Sequence, residues 1–109
     1  MHTVVMTRGL LDRNPGLARA LYRGFDDSAK ATRDRYQHGR LEQHVESSVP
    51  WFTQLYERNR TLLAEDYWAY GVEANRKAID TYLRYFHEQG LSKRLWTCEE
   101  IFVPDLLDT

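Results

Sequence analysis

Four histidines, one cysteine and a close group of aromatic residues are the side chains here most able to do chemistry. Two imidazoles one helical turn apart, or a cluster of thiolates, would hold zinc. His2, His38, His44 and His87 contain no such pair, and Cys98 is the only cysteine, so no metal site made from this chain alone is expected. Cys98 follows Thr97 at an expected helix start, a position that can lower a thiol's pKa. A nucleophilic cysteine also needs a base, and none is identifiable, so Cys98 is read as structural. Tyr67, Trp68 and Tyr70 could stack a planar ligand, but aromatics beside a helix start more often pack. Arg76 and Lys77 fall in the first turn of an expected helix, on the unfavourable side of its dipole, a mild conflict that means either a specific carboxylate partner or nothing. His2 opens the one segment with strand character, and strand ends border ligand crevices in α/β sheets.

Other chemistries have less support. Neither a phosphate-binding glycine loop nor a nucleophile elbow is present. Fifteen basic residues against sixteen acidic ones leave a net charge of −1, which provides no field to attract nucleic acid or anionic membrane. The cluster Arg33, Arg35, His38 and Arg40 is interrupted by Asp34 and Glu42 and reads as a solvated helix end. No run approaches the roughly 18 apolar residues of a membrane span. The opening MHTVVMTRGLL lacks the charged and apolar regions of a secretion signal, so a cytoplasmic location is expected. No cofactor is indicated.

The elements that must position these residues are mostly helical. MHTVVMT alternates His2, Val4 and Met6 with Thr3, Val5 and Thr7, which predicts a strand over about 2–7. A single strand cannot satisfy its own backbone. It would need either a second copy of this chain, giving a homodimer through the strand, or a sheet encoded elsewhere. Asn14-Pro15 marks a helix start, and Leu17, Leu21, Phe25, Ser28, Thr32 and Tyr36 recur at helical spacing, predicting a helix over 15–38 that stops near Gly39. Gly24 inside it weakens the helix and could admit a close neighbour. Residues 40–48 read as a loop with a frayed helical start. The apolar rows Trp51, Phe52, Leu55, Tyr56, Leu62 and Leu63 predict a helix over 49–64 with one broad buried face.

Residues 65–71 break that pattern, with Gly71 as the turn residue and Glu73 as a cap. A helix over 74–89 follows, whose stripe of Ala78, Ile79, Tyr82, Leu83 and Phe86 is expected to be buried. Gly90 has the position of a left-handed stop, with Leu91 as its hydrophobic contact. Thr97 and Glu100 fit a capping box for a short helix over 98–103, ended by Pro104. At 109 residues this is a single helical unit.

The stretches MHTVV, NPGLARALYRGF, DYWAYGVEANRK and YFHEQGLS followed by EEIF lie in an order that resembles the C-terminal part of the 4,5-dihydroxyphthalate decarboxylase family. The group Trp68, Gly71, Glu73, Asn75 and Arg76 is the most specific part. The resemblance implies a mostly α chain with one N-terminal β-strand, forming the C-terminal portion of a two-lobed α/β fold of the type II periplasmic-binding-protein kind. It further implies a missing N-terminal portion and a small aromatic carboxylate as ligand. The implied activity, in phthalate catabolism, is removal of one carboxylate without oxidation to give protocatechuate. Within this chain it makes His2 the candidate acid or base and Thr3 the candidate substrate contact. A solute-binding protein without catalysis and a free-standing helical interaction module remain open beside it.

Overall fold

A computed structural model describes residues 2–41, 48–63 and 67–109. Five α-helices are present among them: α1 (Arg8–Arg13), α2 (Leu17–Leu41), α3 (Phe52–Leu63), α4 (Arg76–Glu88) and α5 (Cys98–Ile101). Short 3-10 turns at Glu73–Asn75 and Pro104–Leu106 introduce α4 and follow α5. The chain groups into two compact units, one of Tyr70–Thr109 with the N-terminal residues through Gly24, the other Phe25–Ala69.

The first unit is built around α4. Ile79 and Leu83, one helical turn apart, are buried with Val72 and Cys98, and Phe102 and Leu107 pack against them. Only this narrow part of the expected stripe is inside. Tyr82 is 53% exposed and Ala78 is exposed, because α5 and the C-terminal turn cover one side of α4 and leave the other open. Tyr82 instead stacks on the half-buried Phe86 with ring centroids 5.7 Å apart. Gly90 adopts φ +73°, and the Leu91 N–H donates to the Phe86 carbonyl, the closing bond of a left-handed helix stop. Leu91 itself is exposed and makes no sheltered contact.

At α5 the capping box forms. The Glu100 carboxylate accepts from the Thr97 backbone N–H at 3.0 Å, satisfying a donor that the helix cannot. The helix ends at Ile101, and Phe102 is already extended ahead of Pro104.

Several expectations are corrected. No β-strand forms among the described residues: 2–6 carry no regular structure, and Val4 and Val5 are exposed. Alternation and β-branching favour an extended chain, but a ladder needs a second strand, and none lies beside it. Asn14 does not cap α2; it ends α1, its side chain donating to the Leu10 carbonyl, while Pro15 and Gly16 make a turn before α2 begins at Leu17. Gly39 does not stop α2, since it lacks the positive φ of Gly16, Gly71 and Gly90, and the helix runs on to Leu41. The expected loop at 42–47 and the start of the break at 65–66 lie outside the described residues.

In the second unit, Tyr36 of α2 meets Phe52 and Tyr56 of α3 at centroid distances of 5.1 and 6.5 Å. No residue of α3 is buried, so its expected buried face stands half open. Trp51, with φ +57°, is 75% exposed at the start of that helix. No described helix is long and apolar enough to cross a membrane.

Gly24 has no neighbour within 4 Å of where a Cβ would stand, so it serves no close approach. Gly24→Ala should therefore raise stability by about 0.5–1 kcal/mol through helix propensity alone, as read from a shift in the urea unfolding midpoint.

Candidate functional site

The densest chemistry among the described residues lies where the start of α4 meets α5. Arg76, the first residue of α4, faces Glu99 at 2.7 Å and Glu73 at 3.1 Å. Two carboxylates thus offset the cation's poor position at the positive end of the helix dipole. The hydrogen bond to Glu99 raises the Arg76 pKa. Glu99 is pushed below the usual carboxylate range by its own backbone N–H and then by Arg76. Glu100 is lowered likewise, first by Arg94, 2.6 Å away, and then by the Thr97 N–H. Arg94 also lies over Trp96, its guanidinium carbon 3.6 Å from the ring centroid.

Beneath this rim sits Cys98, wholly enclosed, its Sγ donating to Asp80 Oδ1 at 3.2 Å. Burial pushes the thiol from the ordinary 9.0 to about 11, and the adjacent Asp80 carboxylate adds to the rise by opposing a second negative charge. That is the reverse of nucleophile activation. A thiol at a helix start can be acidic, but here enclosure outweighs the helix end and Cys98 keeps its proton. The arrangement holds a proton on sulfur and a cation between carboxylates, and it fastens α5 to α4.

The sequence-predicted site residues lie elsewhere. His2 and Thr3 are both exposed, and neither makes a hydrogen bond or ion pair with another described residue. Tyr67, Trp68 and Tyr70 are 47%, 68% and 40% exposed, so none of them is a core residue. Among the described residues, no group of three or more His, Cys, Asp or Glu could hold a metal ion. The outer face of α4 carries a shallow open groove along Ala74, Lys77, Ala78, Tyr82 and Tyr85. Asp80 escaped the sequence reading, since nothing in its spacing ties it to Cys98. For Arg76 the dipole conflict left a carboxylate partner as one of two alternatives, and the structure supplies Glu99 and Glu73.

No family model matches the chain. It is, however, 28% identical over 109 residues to 4,5-dihydroxyphthalate decarboxylase of Comamonas testosteroni, an alignment that takes in 100% of this chain and 32% of that relative. The chain is homologous to part of that decarboxylase. It spans about a third of the relative's length.

Two pH effects follow from the site. Cys98 is held protonated in the folded state, so its contribution to stability is complete below the ordinary thiol value and is lost as pH rises from 9.0 through about 11. Glu99 and Glu100 are lowered, so theirs is present above the ordinary carboxylate value of 4.5 and is lost as pH falls through their lowered values. Urea titrations across pH should show stability falling at both ends. An aromatic disulfide reagent should label Cys98 at least about 100-fold more slowly in the native chain than in the unfolded one, since attack must wait for opening. Equal rates would contradict the enclosure.

Proposed function

We propose that this chain forms the C-terminal part of a two-lobed, periplasmic-binding-protein-like decarboxylase acting on 4,5-dihydroxyphthalate or a close aromatic dicarboxylate. The observation that carries the proposal is the alignment of the entire chain with a third of one such decarboxylase. The open apolar surface fits it, since a helix with no buried residue, as α3 is, and tryptophans 75% and 68% exposed suit a chain that packs against further protein.

In the proposed reaction the bond between the ring carbon and one carboxylate breaks, carbon dioxide leaves, and the electron pair stays on the ring carbon. That carbon takes up a proton, giving protocatechuate with the second carboxylate retained. The steps call for a proton donor, groups that hold the remaining carboxylate and a dry pocket. His2 is the proposed donor and Thr3 a proposed substrate contact; both are exposed and neither is bonded to another of the described residues, which suits a cleft completed by other residues. A cytoplasmic location belongs to the same proposal.

The alternative reading is a solute-binding protein without catalysis.

The test is expression of the reading frame that contains this chain together with any coding sequence upstream of it, followed by assay with 4,5-dihydroxyphthalate. Release of protocatechuate and carbon dioxide is expected, and His2→Ala should lower turnover by about 100-fold or more while leaving the protein folded. Tight binding without turnover would establish the solute binder instead. Undiminished turnover in His2→Ala would remove that residue from the chemistry.

A further inference from the structure

The start of α4 has no cap of its own. Neither Val72 before the 3-10 turn nor Asn75 before the helix supplies a side-chain bond to the exposed N–H groups. The last residue of the chain does so. The Thr109 backbone oxygen accepts from the N–H groups of Glu73 and Ala74, and its hydroxyl accepts from the Val72 N–H at 3.2 Å while donating to the Leu106 carbonyl at 2.6 Å. Three successive donors are satisfied by one distant residue.

Gly71 makes the seat for it. Its φ of +112° suits glycine alone, and a Cβ there would stand 2.5 Å from the Thr109 carbonyl carbon and 2.7 Å from its oxygen. The other end of the same segment is fastened too. Arg19, from the first turn of α2, donates to the Asp105 carbonyl and pairs with Asp108 at 2.6 Å, while Leu107 between these anchors packs on the buried cluster.

We propose that residues 104–109 are a clasp, a conformational device that closes the first unit by joining the first turn of α2 to the start of α4. The clasp caps the 3-10 turn that leads into α4, so its release frays 72–76 and draws Arg76 away from Glu99. Gly71 is the seat, Thr109 the tongue and Arg19 the rear anchor. This holds for the chain itself, whatever larger protein it serves.

Native-state hydrogen exchange by NMR on the 109-residue chain tests it. The amides of Val72, Glu73 and Ala74 should exchange at least about 10-fold more slowly than unstructured amides, as bonded groups do and an uncapped helix end does not. Arg19→Ala should speed all three several-fold, whereas Thr109→Val should speed Val72 alone, because it removes the hydroxyl and keeps the backbone oxygen. Gly71→Ala should abolish the protection of all three. If that variant fails to fold, the other two decide. Free exchange at these amides in the unaltered chain, or rates unchanged by Arg19→Ala, would overturn the clasp.

Discussion

The first unit depends on a narrow seam along α4. Ile79 and Leu83 are its inner side, Val72 and Cys98 meet them, and Phe102 and Leu107 close over the top. A cluster of four buried residues among those described leaves little reserve, since Val72, Ile79 and Leu83 each contribute roughly 1.5–3 kcal/mol against an entropy cost spread over the whole unit. The polar bonds around the seam therefore carry weight they would lack in a larger protein. Asp80 accepts the Cys98 thiol hydrogen, Arg76 ties the start of α4 to α5, and Thr109 caps the 3-10 turn that leads into α4.

Much of the local structure was legible because it depends on neighbours in sequence. The Thr97–Glu100 box and the Gly90 stop are interactions within six residues, and both form. The turn at Gly71 was legible too, although its deeper reason, the seat for Thr109, links residues far apart in the chain. The errors come from the same source. The strand at 2–7 had the right residue types, yet a strand is a relation between two segments, and none of the described residues pairs with it. Periodicity in α4 and α3 marked the apolar faces without indicating how much of each would be covered. Ile79 and Leu83 are inside, while Tyr82, Leu55 and Leu62 remain open.

The candidate site was less legible than the fold. His2 and Thr3 rest on family resemblance, and both lie exposed at the start of the chain. Cys98 was placed correctly as a structural residue, but the reason was enclosure and the Asp80 contact, neither of which spacing reveals. Homology to a third of a decarboxylase gives these facts one frame. Apolar side chains stay open along α3, while the α4 seam is complete in itself.

That self-sufficiency is the central claim, and labelling of Cys98 in a Leu83→Ala variant tests it most directly. Leu83 and Cys98 belong to one buried cluster, so removing the leucine side chain should cost about 2–5 kcal/mol and speed native-state labelling of the thiol by the corresponding factor, about 30-fold or more. Labelling that stays as slow as in the unaltered chain, in a variant that remains folded, would show that Cys98 is shielded independently of the seam and would contradict the account.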